Sequence, residues 1–371
     1  MRSLFRGSDG KFKLKAITTG VAAVALAITG TVGYAAYADA ADFQVGMTHV
    51  NTSPDMHESD PEALESAKGV MKDVGGLQNA HLMGWGTANP WPDQNSDKRD
   101  WKSLDARMQL IDETGGTPVI TLCSAPGWMK PSGDDWSMDE APTKEYYDEY
   151  AQLAAETAER YPDVKYFQVW NEFKGFWDES KNRWDYEGFT EFYNKVYKAV
   201  KEVSPNAELG GPYVSLNTYK NADESPAPSK LQGEWGNVDQ RDLDAIEYWL
   251  KNNDGAEFFT VDGGTETRDG FYPDVKQSGE KFKAITQWIA ERTDLPIWWS
   301  EFYAFSAPQG PSSPEMMKSV LSGMREGGAS VALWWQPEES AQPDNMPGLW
   351  TSTEKSDGGK KTEYVDIIEN A

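Results

Sequence analysis

Two glutamates stand in matching surroundings 129 positions apart: Glu172 in "QVWNEF", residues 168–173, and Glu301 in "WWSEFY", residues 298–303. Each closes an apolar, β-rich run, with Trp170 and Phe173 beside the first and Trp298, Trp299 and Phe302 beside the second. Aromatic surroundings penalise a carboxylate's charge, so one of the two is expected to have a raised pKa and to hold a proton near neutrality. A pair of carboxyls with different protonation is the apparatus for cleaving a glycosidic bond. One protonates the leaving oxygen and the other attacks or stabilises the anomeric centre. A gap of about 5–5.5 Å between them predicts retention of configuration, and roughly 6.5–9.5 Å, with room for a water, predicts inversion. Glu172 alone would be an ordinary salt-bridged strand end; the pairing gives it a chemical reading.

The elements that must carry these residues alternate throughout. Strands are expected at 43–50, 79–83, 117–123, 164–170, 208–213, 258–262, 296–301 and 330–336. Helices are expected at 61–74, 101–113, 144–160, 187–203, 241–251, 275–291 and 314–326, with a closing helix at 363–369. Alternating strands and helices demand a parallel sheet, and eight units in about 330 residues predict a single-domain α/β fold of the (β/α)8 TIM-barrel type over residues 41–371. Glu172 then lies at the tip of strand 4 and Glu301 at the tip of strand 7, on the same mouth. The longest connections, 124–142, 214–240 and 337–361, all follow strands and are expected to wall a cleft at that mouth.

Residues 1–40 have a different character. Arg2, Arg6, Lys11, Lys13 and Lys15 precede a small, apolar stretch at 16–38, and Ala36-Tyr37-Ala38 or Ala38-Asp39-Ala40 offers a cleavage site. This pattern is that of a signal peptide, and the mature protein is expected to be secreted; an uncleaved anchor is the alternative. These residues carry a net +3, so the chain's formal charge of -25 becomes -28 beyond them. Such a surface repels nucleic acid and anionic membranes and favours a neutral or cationic partner. Sixteen Trp point to carbohydrate, because aromatic faces pack on the apolar faces of sugars. Cys123 is the sole thiol, so no intrachain disulfide forms. A monomer is expected.

Other residues are candidates of a weaker kind. His49 and His81, on strands 1 and 2, line the pocket or are hydrogen-bonded interior histidines. Trp128, Trp334 and Trp335 touch sugar or belong to the core, and alternation allows only one of the last two to point inward. Asp262, at the end of strand 6, and Tyr303, just beyond Glu301, complete the candidate substrate-binding set. With three His, none spaced as HExxH, and only a faint likeness to a calcium loop at 262–269, no metal or cofactor is expected.

"VWNEF" and "IWWSEFYAF", with "SAPGWM" at 124–129 and "LWWQ" at 333–336, resemble the motifs of clan A retaining glycoside hydrolases, nearest to family 39 with its β-xylosidases and α-iduronidases. The resemblance implies that Glu172 is the general acid/base, Asn171 holds the sugar 2-hydroxyl and Glu301 is the nucleophile. It also implies His81 at the sugar subsite, since strand 2 has no Arg, and Asp262 where related barrels often have His or Tyr. An exo-acting, β-xylosidase-like enzyme is the reading; an endo-acting glycanase of the same clan and a non-catalytic carbohydrate-binding barrel are the alternatives. A nucleophile must be ionised, so Glu301 is expected to have the lower pKa of the pair.

Overall fold

The computed structural model describes residues 43–307, 312–342 and 346–369. The expected signal peptide lies outside these residues. Eight parallel strands close a barrel: β1 (Gln44–Thr48), β2 (Leu77–His81), β3 (Thr117–Leu122), β4 (Tyr166–Val169), β5 (Glu208–Leu216), β6 (Phe258–Gly264), β7 (Ile297–Tyr303) and β8 (Ala329–Trp335), with β1 paired to β8. Around them run α1 (Pro61–Val74), α2 (Lys102–Glu113), α3 (Tyr147–Arg160), α4 (Tyr186–Val203), α5 (Gln240–Asn252), α6 (Val275–Ala290), α7 (Pro314–Gly327) and α8 (Glu363–Glu369). Caps fix several starts: Asp60 accepts from Glu62 and Ala63 N–H, and Asp274 and Gln277 form a reciprocal capping box at α6. No helix among the described residues is long and apolar enough to cross a membrane.

The barrel interior is built in two layers. At the bottom, Leu77, Val119, Phe258, Trp298, Val331 and Leu333 form an apolar plug. Above it, buried polar side chains hand hydrogen bonds across four strands: Gln168 Nε2 donates to Thr121 Oγ1 (2.9 Å), Thr121 Oγ1 to Asn79 Oδ1 (2.9 Å), and Asn79 Nδ2 to Thr48 Oγ1 (3.2 Å). Ser300 Oγ closes the chain from β7 by donating to Gln168 Oε1. Fully satisfied, such a network gives the strand tips a rigid floor.

Two bulges decide what reaches the mouth. On β7 the register with β6 passes from Val261↔Trp299 to Asp262↔Glu301, leaving Ser300 as the extra residue. Strict alternation would send Glu301 to the same side as Trp299; the bulge brings Ser300 and Glu301 both to the interior. On β5 the register with β6 passes from Pro212↔Thr260 to Val214↔Val261, leaving Tyr213 extra, with φ 57°.

The expected wall loops are corrected in part. The connection after β5 does wall the mouth, through a small sheet of Thr218–Tyr219, Gly236–Asp239 and Pro228–Gly233. The connection after β8 brings Met346 and Pro347 beside Tyr303 and Trp335, and its later part folds back over α1, where Asp60 N–H donates to Thr353 O and Ser66 to Gly359 O. A wall that the sequence did not suggest comes from the β4–α4 connection, a two-stranded ribbon of Trp177–Asp178 and Arg183–Trp184. Gly175 lets this connection approach the neighbouring one: its φ is 81°, and a Cβ there would lie 2.1 Å from Ala141 N.

Candidate active site

The chain leaves β4 in left-handed backbone, with φ of 67° at Trp170, 51° at Glu172 and 55° at Phe173. Each costs about 1–3 kcal/mol and persists only where packing over-determines it. Here Trp170 and Phe173 supply the packing. Trp170 is wedged against Tyr150 and Phe192, with its Nε1 donating to Lys174 O (2.8 Å), and Phe173 stacks on Phe189 at 3.8 Å between centroids. These aromatics face the helices and anchor the tip, leaving Asn171 and Glu172 to point inward. They do not surround the carboxyls as the sequence suggested. Trp299 and Phe302 likewise face outward, onto Phe282 and Trp334, and Trp298 belongs to the apolar plug.

At the mouth, oxygens of Glu172, Asp262 and Glu301 all lie within 4.8 Å of one another. Glu301 is 3% exposed and accepts from Tyr303 Oη, from Tyr213 Oη (3.1 Å) and, at the long limit, from Asn171 Nδ2 (3.5 Å). Lys174 Nζ forms an ion pair with Glu172 and donates to Asn171 Oδ1 (3.1 Å). Asp262 is buried, and neither of its oxygens meets a conventional donor among the described residues. A proton held on Asp262 and directed at Glu172 accounts for both facts.

The electrostatics follow from crowding. Three carboxyls in one buried site cannot all ionise beside a single cation. Burial and the charge of Glu172 push Glu301 up to about 8, against the hydrogen bonds from Tyr303 and Tyr213. Burial and both glutamates hold Asp262 well above the carboxylate range. Glu172 is also desolvated, yet the hydrogen bond from Asp262 and the ammonium of Lys174 bring it below its ordinary value. The expected order is therefore reversed in the free protein: Glu172 carries the charge and Glu301 the proton. The reasons are the proton of Asp262 and the ammonium of Lys174, both of which are directed at Glu172.

The remaining candidates divide. His81 is 1% exposed at the end of β2, both its ring nitrogens are unpartnered among the described residues, and its ring lies 4.3 Å from Trp85 and 5.7 Å from Trp335 between centroids. Burial, Lys174 and Arg107 lower its pKa to about 3, so it is neutral and can accept or donate one hydrogen bond. Trp335 thus joins the mouth, whereas Trp334 is core, with its Nε1 donating to Pro347 O (2.9 Å). His49 is a satisfied interior histidine between Ser53 (3.1 Å) and Gln78 (2.9 Å). Trp128 is placed in a cluster with Trp91 and Tyr146, its Nε1 donating to Trp91 O (2.8 Å). Trp128→Ala is therefore expected to lower unfolding free energy by roughly 2 kcal/mol, for a half-buried aromatic, without raising KM for a small aryl glycoside; denaturant unfolding and steady-state kinetics check the two parts.

Sequence reasoning missed Lys174, Tyr213 and Trp85. Lys174 had a signal, a cation two residues past the candidate acid. Tyr213 and Trp85 had none, since a bulge and a left-handed residue (φ 45° at Trp85) deliver them. Two cavities open at Glu172. One, of about 530 Å³, also borders Asp262, Tyr303 and Phe305; the other, of about 380 Å³, borders Lys174, Trp177, Trp184 and Tyr219. Both include Ser215, Asn217 and Arg268. The second is braced by Asp242, which accepts from Trp184 Nε1 (2.6 Å) and Asn217 N–H (2.6 Å) and so ties the two wall loops together. Among the described residues, the three carboxyls are the group with the donors for a cation, and Lys174 already supplies positive charge there.

No protein-family model matches the chain, and no curated protein does. Solved structures do. A monomeric β-xylosidase from Caulobacter crescentus CB15 superposes with a TM-score of 0.57 at 16% identity, over 88% of this chain and 67% of its own. A family 39 glycoside hydrolase from Xanthomonas axonopodis pv. citri gives 0.59 at 15% identity, over 88% of this chain and 65% of its own. An endo-β-1,4-mannanase from Thermotoga petrophila gives 0.53 at 14%, over 89% and 76%. The chain spans about two thirds of the length of the first two. At these identities the likeness is one of fold, the barrel that the glutamate motifs implied.

Proposed function

We propose that the protein is a retaining O-glycoside hydrolase, exo-acting and β-xylosidase-like, on oligosaccharides or polysaccharides of plant or microbial origin. The observation that carries this reading is the approach of the Glu172 and Glu301 carboxyl oxygens to within 4.8 Å, on the side of the about 5–5.5 Å spacing that suits direct attack and short of the roughly 6.5–9.5 Å of inverting pairs. In the first step Glu301 attacks the anomeric carbon while Glu172 gives its proton to the departing oxygen. In the second, Glu172 takes a proton from water, which attacks the same carbon, and Glu301 leaves with its electron pair. Asn171 and neutral His81 hold sugar hydroxyls, with Trp85 and Trp335 as the apolar wall. The burial of Glu301 and His81, 3% and 1% exposed, supports a blind sugar pocket and hence action at chain ends. Export of the mature chain and a monomeric state belong to the same proposal.

The resting protonation fits this mechanism once sugar enters. The resting trio holds two protons, on Asp262 and Glu301; the reactive trio holds the same two, on Asp262 and Glu172. A sugar hydroxyl that takes Asn171 displaces Lys174, Glu172 loses its cation and gains a proton, and Glu301, no longer facing a charge, ionises. Activity should thus fall at high pH as one of the two protons leaves, near the Glu301 value of about 8, and at low pH as a third binds, below the usual carboxylate range. Lys174 holds Glu172 ionised, so Lys174→Met should move both limbs of the kcat/KM profile upward by about one pH unit. An unmoved profile would show that Lys174 does not govern the pair. The reading as a whole is tested on a panel of aryl glycosides with product configuration followed by NMR: turnover with retention supports it, and no turnover of any member rejects it.

A further inference from the structure

Among the described residues, Arg268 is the cation bordering the mouth's cavities whose side chain has no hydrogen-bond or ion-pair partner. The chain's formal charge is -25, with 60 acidic residues against 35 Lys and Arg, so an idle guanidinium is out of keeping with its surface. The other cations bordering the 380 Å³ cavity are engaged: Lys174 on Glu172, and Arg241 on Asp239 through Nε–Oδ1 (2.9 Å) and Nη2–Oδ2 (2.6 Å). Arg268 is held by its backbone, its N–H donating to Thr218 O (2.8 Å), yet its side chain makes no hydrogen bond or ion pair among the described residues. Its acidic neighbours are turned elsewhere. Glu266 accepts from Tyr272 Oη (2.8 Å), and Asp269 accepts from Lys220 N–H (3.0 Å) and from Thr267.

The place of this guanidinium in the reaction follows from the cavities. The 380 Å³ cavity borders Glu172 and Lys174; Glu301 lines neither cavity, but its neighbours Asp262 and Tyr303 border the 530 Å³ one and not the 380 Å³ one. A space that reaches the proton donor and lies away from the nucleophile's neighbours is where the departing group sits. Its aromatic border, Trp177, Trp184 and Tyr219, suits a sugar ring. Resting on the glycosidase reading, we infer that Arg268 binds the carboxylate of an acidic sugar, a uronic acid residue, in the leaving-group position, so that the preferred substrate is an acidic oligosaccharide cut on the non-reducing side of a uronate. A guanidinium matches a carboxylate through two parallel N–H···O bonds. The acidic surface disfavours anionic polymers elsewhere, so recognition falls on the cation of this cavity whose side chain is unpaired among the described residues.

The test uses a pool of oligosaccharides from a glucuronic-acid-containing polysaccharide and the same pool after carbodiimide–borohydride reduction, which converts each uronate to the neutral sugar. The wild-type protein is expected to release sugar from the acidic pool about tenfold faster, at limiting substrate, than from the reduced pool, with a preference that declines as salt is raised. In Arg268→Gln that ratio should fall to near one, and in Arg268→Lys it should be partly kept. A residue of merely structural importance would lower both rates together and leave the ratio unchanged, which overturns the inference, as does a wild-type protein indifferent to carboxyl reduction. Hydrolysis of aryl glycosides alongside such indifference leaves the glycosidase reading standing and removes the inference alone; no hydrolysis of aryl glycosides or of either pool removes both.

Discussion

Glu301→Ala should remove turnover of substrates with good and poor leaving groups alike, by roughly 10⁵-fold, because in the proposed mechanism the first step itself is the attack of that carboxylate. Its surroundings give the expectation its size. Tyr213 and Tyr303 both donate to it and Asn171 stands at 3.5 Å, so the group is oriented before substrate arrives. A 2-fluoro glycoside of the right sugar should leave a covalent adduct on Glu301, found by mass spectrometry of the digested protein, and the first-formed product should have retained configuration. An adduct on Asp262 or Glu172, or an inverted first product, would return Glu301 to the role of base or of structural residue. Asp262 makes this a sharp test, since it is Glu301's register partner across β6 and β7 and lies in the same cluster of carboxyls.

Glu172→Gln separates substrates by their leaving groups. Natural oligosaccharides, whose departing oxygen needs a proton, should lose on the order of 10²–10⁴-fold in kcat/KM, while aryl glycosides with activated leaving groups should be largely spared in the first step. The same change removes the anion that raises the Glu301 pKa, burial being the larger cause. Glu301 should then ionise at lower pH, and the high-pH loss of kcat/KM on activated substrates, which reports the departure of the acid's proton, should vanish. Rates measured from pH 4 to 9 on one activated and one natural substrate check both parts. Equal loss on the two substrates would sink the acid/base role.

The barrel was legible because its cause is local and repetitive. Each apolar strand is followed by a helix with one buried face, and only a closed parallel sheet covers eight such units at once. The two glutamates were legible for a related reason: a carboxyl at the end of a buried strand is an expense that needs a function, and strand order puts tips 4 and 7 on one mouth. Asn171, Asp262 and Tyr303 were reached by adjacency to those tips. Pattern alone failed where the backbone departs from its period. Alternation sends Glu301 outward with Trp299, and only the bulge at Ser300 turns it in; the bulge at Tyr213 adds a hydrogen-bond donor that no spacing foretells. Trp128 and Trp334 show the same limit from the other side, for aromatic character does not say whether a ring meets sugar or helix, and in both the indole N–H found a backbone carbonyl instead. Charge was the least legible of all. The sequence determined that two carboxyls would meet, and from their roles Glu301 was expected to be the ionised one. Which of them is ionised in the free protein was decided by a third carboxyl from β6 and by the reach of Lys174, because Coulomb energy depends on distances of a few ångströms that only the folded chain sets.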